Sequence, residues 1–279
     1  MTSATGVTSV SSYLSSATGD VTFNDLQANA SITLDGSAGD FIADFTNSVV
    51  VGAADVATVS IQNDASTALL GLGDGADEFE TINITVGAGK NSITDIEDSA
   101  SADLTETTKV VISGSGQLTL GEVALADGAE IDGSAATGKL LITTDATVDK
   151  VTTGSAADTI TITVGDFGST NAAKTIDGGL GEDTIVVAAD VAAADFVAKS
   201  SGVHTIKAEV LDADVTMAAD GVGTGTAVTR AVDVAGITGL EKVTGTITNS
   251  GDANDTTDAI LSVTGISSGS TIDVTGVAG

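Results

Sequence analysis

The chain has 279 residues, enough for one or two domains with a sizeable core, and it contains no cysteine, proline or tryptophan. Its 39 acidic residues oppose 9 basic ones, a net charge of −30, which excludes nucleic acid and anionic membrane surfaces as natural partners and points to cations. The lack of cysteine removes disulfide staples, thiol chemistry and the usual zinc sites.

A hydrophobic fraction of 42%, arranged in regular alternation, argues against disorder. No apolar run approaches the roughly 18 residues of a membrane-spanning helix, so membrane insertion is not expected. MTSATGVTSVSSYLSS has neither a basic nor a continuous apolar region, so it is not read as a general secretory signal, and export would need another route. An acidic, lysine-poor surface also suits high salt, which is the competing explanation of the charge.

In chain order, SVSSYLSS (9–16) gives a weak helix signal. Alternating threonine or serine with isoleucine, valine or leucine then predicts strands at TINITVG (81–87), KVVIS (109–113), QLTLGEVAL (117–125), KLLITT (139–144), DTITITVG (158–165) and STIDVTG (270–276). In DTITITVG the threonines face one way and Ile160, Ile162 and Val164 the other. The best helix signal is ADVAAADFVAK (189–199). The fold class expected is all-β.

Between the strands one turn recurs. The calcium nonapeptide pattern is G-G-x-G-x-D-x-U-x, with U a large apolar residue. GGLGEDTIV (178–186) fits every position. LGDGADEFE (72–80) fits apart from Leu72, TGSAADTIT (153–161) keeps Gly154, Asp158 and Ile160, and DGSAGDFIA (35–43) keeps Gly36, Asp40 and Ile42. Asp158 and Asp183 are 25 residues apart, a plausible length for one coil of a β-solenoid, which would stack the two turns on one edge. Such turns suit Ca2+, a hard ion that takes 6–8 oxygens from carboxylates and carbonyls. Glycines let carbonyls curl inward, aspartate supplies charge, and the U residue plugs the core. The bland reading is an Asp/Gly turn between strands.

Other constellations carry less. His204 lies in a strand pattern, and no cluster of catalytic groups accompanies it, so no enzyme activity is expected. GAGKNS (87–92) lacks the earlier glycine and the Ser or Thr of a phosphate loop, and GVGTGTAV (221–228) lacks strand–helix context. DANDTTDAI (252–260) lacks the glycine and final glutamate of an EF-hand loop. The threonine ladders read as too irregular from coil to coil for an ice-binding array.

The nonapeptides resemble those of the RTX (repeats-in-toxin) proteins of Gram-negative bacteria. The succession VVISGSGQLTLGEVAL (110–125), EIDGSAATGKLLITT (130–144), VTTGSAADTITITVG (151–165) and TIDGGLGEDTIVV (175–187) is similar to the order in RTX-type S-layer proteins. ITGLEKVTGTIT (237–248) looks like the segment that follows it there. The resemblance implies a parallel β-solenoid (β-helix) that binds Ca2+ and assembles as a homo-oligomer or lattice on the cell surface after type I secretion. A cell-surface glycan or lipopolysaccharide is the anchoring partner expected, although no anchoring domain and no convincing type I signal is recognisable.

Carried over by position, the ligands implied are the carboxylates of Asp183 and Asp158, with the carbonyls of Gly179, Gly181 and Gly154. Asp77 with Gly73 and Gly75 would form a second site, and Asp177, Asp74 and Asp40 rank after these. The divisions expected are a β-rich segment with degenerate calcium turns at 1–104, an RTX-like core at 105–190 and a β-rich segment at 191–279. The functional expectation is an extracellular S-layer or matrix subunit. The alternative is a calcium-binding module of a type I-secreted adhesin or exoenzyme.

Overall fold

A short ribbon that alternates hydroxyls with β-branched residues has one apolar face and cannot bury it alone. Here that face is buried by stacking coil on coil. The computed structural model describes residues 6–15, 19–27, 30–145, 147–162, 175–187, 196–197, 200–201, 203–211, 229–233, 240–248, 260–266 and 268–277.

The strands in chain order are β1 (Ser9–Tyr13), β2 (Val21–Leu26), β3 (Ser31–Asp35), β4 (Phe41–Phe45), β5 (Val56–Gln62), β6 (Ser66–Gly73), β7 (Thr81–Val86) and β8 (Lys90–Glu97). They continue with β9 (Lys109–Gly114), β10 (Gln117–Leu120), β11 (Ala129–Ala136), β12 (Leu140–Thr144), β13 (Val148–Thr152), β14 (Thr159–Ile162), β15 (Thr175–Asp177) and β16 (Asp183–Val187). The last are β17 (Phe196–Val197), β18 (Ser200–Ser201), β19 (Val203–Leu211), β20 (Thr229–Asp233), β21 (Lys242–Thr248), β22 (Ile260–Thr264) and β23 (Thr271–Val277). One four-residue helix, α1 (Asn47–Val50), follows β4.

The odd strands β1 to β15, with β18, form one nine-stranded sheet, here sheet A. The even strands β2 to β16, with β19, β21 and β23, form an eleven-stranded sheet B, and β17, β20 and β22 form a third. Every pairing between these strands is parallel. The chain is a parallel β-solenoid: from β1 to β16 the strands alternate between sheet A and sheet B, and from β19 to β23 between sheet B and the third sheet. Both sheets pass without a break through residue 104, since β7 pairs with β9 and β8 with β10.

Same-register residues form columns. On sheet A, Ile32, Val59, Ile84 and Ile112 stack one above another and are buried. On sheet B the column is Ile93, Leu120, Ile142, Ile160 and Ile185. Parallel stacking brings identical faces together, so one apolar residue per coil at a fixed position makes a continuous core.

The outward columns of sheet A are mostly polar, with Val111 as an exception. Ser11, Thr33, Ser60, Thr85 and Ser113 share one register position, a hydroxyl ladder more regular than the sequence alone suggests. Further along, Glu130 lies opposite Lys109 on one side and Lys150 on the other. Lys109 Nζ is 3.2 Å from Glu130 and 3.0 Å from Asp132, and Lys150 Nζ is 2.6 Å from Glu130. The Ser134 hydroxyl, then Lys109, hold the Asp132 carboxyl down to about 2 against a modest desolvation.

Three sequence expectations change. SVSSYLSS contributes β1 rather than a helix, because Val10 faces the core between serines that face out. Strand β10 stops at Leu120, since a Cβ at Gly121 would stand 2.0 Å from the Thr94 carbonyl oxygen and only a bare backbone crosses there. Within the expected helix 189–199, Phe196 and Val197 form β17, and the remainder lies outside the described residues. The last residues of DTITITVG lie outside them too, while Ile160 and Ile162 face inward as expected.

Candidate metal centre

The turns 153–158 and 177–183 join β13 to β14 and β15 to β16, and they stack directly. The Thr153 amide donates to Asp177 O (2.8 Å), and the Leu180 amide to Gly154 O (2.9 Å). The Thr153 hydroxyl donates to Gly178 O at 2.7 Å. The Asp158 amide donates to Asp183 Oδ1 at 2.7 Å, so the 25-residue coil read from the sequence is the physical repeat at this corner. Ile160 and Ile185, the apolar positions that follow, are buried in the core as the pattern requires.

Glycine is demanded here by the neighbouring coil. A Cβ on Gly179 (φ +73) would stand 2.2 Å from Gly154 O and 2.7 Å from Thr153 O, and one on Gly181 (φ +122) 2.1 Å from Ala156 O. Carbonyl oxygens of one turn therefore crowd the bare backbone of the next.

Both carboxylates are inside: Asp183 is 0% and Asp158 1% exposed. Asp158 Oδ1 accepts from the Leu140 amide at 2.7 Å and Oδ2 from the Gly154 amide at 3.1 Å. Burial raises the Asp158 pKa, against the pull of those amides and of the Thr153 hydroxyl. A buried carboxylate that retains this desolvation cost is stabilised by any nearby positive charge.

No protein-family model matches the chain. Neither a curated protein nor a solved structure matches it. The fit of a cation is thus judged on the residues present. The donor set at the stacked turns is all oxygen, from carbonyls and carboxylates, which is the chemistry of a hard ion. Among the described residues no three histidine, cysteine or acidic side chains converge on a metal position, so backbone carbonyls would have to supply much of the shell. The backbone oxygens that crowd Gly179 and Gly181 are the donors available for it. An ion there would be held by Asp183 with the carbonyls of Thr153, Gly154 and Ala156, whereas Asp158, with both oxygens on amides, braces the turn. Asp177, at the exposed rim, accepts from the Gly179 amide at 3.1 Å.

The other two copies of the motif go elsewhere. Gly73 ends β6, and Asp74, Gly75 and Asp77 lie between β6 and β7, at the corner where sheet B passes to sheet A, opposite in sense to the first pair. Asp74 Oδ1 caps this turn by accepting from the amides of Ala76 (2.9 Å) and Asp77 (2.7 Å), and Asp77 accepts from the Asn47 side chain. Desolvation of Asp74 is outweighed by those hydrogen bonds, so its pKa is lowered. Phe79, the apolar position of this copy, is buried.

Asp40 precedes β4 at the same corner as Asp158 and Asp183, but with its face reversed. Phe41 enters the core where the pattern expects Ile42, and the one-residue slip turns Asp40 outward. Asp40 Oδ1 accepts from the Leu69 amide of the next coil at 3.0 Å, and the Asp40 amide donates to Asp20 Oδ1 at 3.2 Å.

Several structural residues were not singled out from the sequence. Asn91, within the rejected phosphate-loop stretch, is buried and bridges three coils. Its Oδ1 accepts from the Ala65 amide (3.2 Å), and its Nδ2 donates to Gly87 O (3.2 Å) and Gln117 O (3.3 Å). Asp64 accepts from the Lys90 amide at 2.6 Å, and buried Glu78 from the Glu106 amide at 2.9 Å. Only the −30 charge hinted at this widespread use of carboxylates as inter-coil acceptors. His204 falls in β19, while 221–228 and all of 252–260 except Ile260 lie outside the described residues.

Proposed function

We propose that this chain is a calcium-dependent, self-assembling structural protein of the bacterial cell surface, an S-layer or extracellular matrix subunit. The observation that carries this reading is the stacking of turns 153–158 and 177–183, with carbonyl oxygens crowding Gly179 and Gly181 beside a buried carboxylate. The resemblance to RTX-type S-layer proteins supports the surface location.

Calcium bound here would neutralise buried charge and clamp one coil to the next. Extracellular calcium modules have Kd of roughly 10⁻⁴–10⁻³ M. At millimolar calcium a site with Kd ~0.1 mM adds about 1.4 kcal/mol of stability, and at submicromolar calcium almost none. The chain's charge of −30 sharpens the contrast, because self-repulsion opposes the fold until cations arrive.

The test is calorimetric titration with Ca2+ and with Mg2+, paired with thermal melts in calcium and in chelator, on the chain and on D183N. Saturable calcium binding that raises Tm, and that weakens in D183N more than in D77N, is the expected result. Identical melts in calcium and chelator would overturn the calcium reading and leave high-salt adaptation as the account of the charge. A calcium-stabilised chain that stays monomeric would favour the secreted-module alternative.

A further inference from the structure

We propose that the segment 98–108 is a strap across one corner of the solenoid, released at low ionic strength and seated by salt through screening alone. This goes beyond the calcium reading: it is a second response to cations, at a second place, with no ion held.

The strap joins β8 to β9 at a corner where sheet B passes to sheet A. Its ties reach coils on both sides. The Ser99 hydroxyl donates to Asp44 Oδ1 in β4 at 3.2 Å, two strands back along sheet B. The Leu104 amide donates to Ala124 O at 3.1 Å, beyond β10 on the other side. Glu78, buried in the turn before β7, accepts from the Thr105 hydroxyl at 3.3 Å and from the Glu106 amide at 2.9 Å. The Thr107 hydroxyl donates to Phe79 O at 2.6 Å. Buried Asp98 shapes the strap itself, its Oδ1 accepting from the amides of Ala100 (2.7 Å) and Ala102 (2.9 Å). Leu104 is the single large apolar side chain of the segment, and it is buried. A segment with many polar ties and one apolar anchor opens locally at far less cost than the strands beneath it.

Like charge opposes the seating. From Asn91 to Thr108 the chain has five carboxylates and no lysine or arginine. Asp95 and Glu97 are half-buried on the outer face of β8, either side of buried Ile96. Asp103 on the strap repels both, Asp98 repels Glu97, and Glu122 of the next coil repels Asp95. Among the described residues no lysine or arginine forms a salt bridge with Asp95, Glu97 or Asp103. Burial, then repulsion from these neighbours, raises the pKa of Asp95 and of Glu97.

The two sets of forces differ in their response to salt. Short hydrogen bonds to buried groups are screened little, whereas repulsion that reaches an exposed Asp103 weakens as ionic strength rises. In dilute buffer the carboxylates lift the strap. In salt the hydrogen bonds and Leu104 hold it down and tie β4 to the segment after β10.

The experiment is amide hydrogen exchange on the full chain at one pH and one calcium concentration. Sodium chloride is raised from about 0.01 M to about 1 M, which shortens the screening length from about 30 Å to about 3 Å. The amides of Ala102, Leu104 and Glu106 are read against those of β9, which report opening of the sheet. The expected result is that the strap amides slow about tenfold relative to β9. Tetramethylammonium chloride, whose cation is too bulky for a tight oxygen site, should act equally. D103N should slow the strap in dilute buffer and remove most of its salt response, while D127N, an exposed acid at the corner after β10, should leave that response as in the parent chain. Strap amides that follow β9 at every salt concentration would overturn the proposal. So would a response to sodium without one to tetramethylammonium, or one that D103N leaves unchanged. None of these outcomes alters the calcium titration, so the two readings fail separately.

Discussion

The turns 153–158/177–183 and the turn 73–77 contain the same residue types and do different work. In the first pair each turn lies on the other, Asp158 and Asp183 are buried, and Gly179 and Gly181 are required by carbonyls of the adjacent coil. In the second, Asp74 folds back on its own turn, and the half-exposed Asp77 meets a side chain of α1. A Cβ on Gly75 would meet Ala100 Cβ at 3.1 Å, which a small shift relieves. A glycine–aspartate turn becomes an inter-coil clamp only when a like turn lies one coil away at the same corner.

The largest test of this contrast is at glycine. Gly181→Ala forces a side chain into a positive-φ position against a backbone oxygen, and about 3 kcal/mol or more of stability should be lost in urea unfolding. Gly75→Ala also carries positive-φ strain (φ +80) but meets a methyl rather than a backbone oxygen, and should cost about 1–2 kcal/mol. Equal losses would break the distinction.

Next comes aspartate. Asp183→Ala leaves the buried Asp158 amide without its acceptor, a loss of about 2–3 kcal/mol. Asp74→Ala removes a cap from a more accessible turn and should cost about 1 kcal/mol.

A pH series separates the two kinds of carboxylate. Burial raises the pKa of Asp158, and burial with repulsion from neighbouring acids raises Asp95 and Glu97. These groups favour the fold when protonated, so their contribution is full below the ordinary carboxylate range and fades as pH rises through their raised values. Asp132, held to about 2, and Glu130, lowered chiefly by Lys150, act in the opposite sense. Their contribution is full above the ordinary range and is lost as pH falls toward about 2. Tm should therefore peak in mild acid, and D132N should flatten the acid limb alone.

The smallest effect belongs to the exposed ion ladder. Lys109→Met should cost less than about 1 kcal/mol, and the cost should shrink further in high salt. A larger, salt-independent loss would mean that this ladder fastens the coils more than the turns do.

Much of the fold was legible because stacking in parallel register turns a one-dimensional repeat into a three-dimensional column. Ile82, Val110, Ile160 and Ile185 could be assigned inward from alternation alone, and the 25-residue interval between Asp158 and Asp183 gave the coil. Ile42 could not be assigned, since parity at Asp40 depends on how Phe41 packs. Asn91 was equally hidden, because its four backbone partners include Ala65 and Gln117, each 26 residues away on a neighbouring coil.

Local sequence determined the strand character, the position of the glycine turns, the apolar plug behind the complete motif and the acidity of the whole. These follow from side-chain shape, alternation and charge, which act within a few residues. Tertiary structure alone decided which corner each turn occupies, which carboxylates are buried and which amides they meet. Those depend on the lengths of intervening coils, 20 residues between Ile131 and Val151 but 28 between Ile84 and Ile112, and no local pattern encodes how such unequal coils come into register.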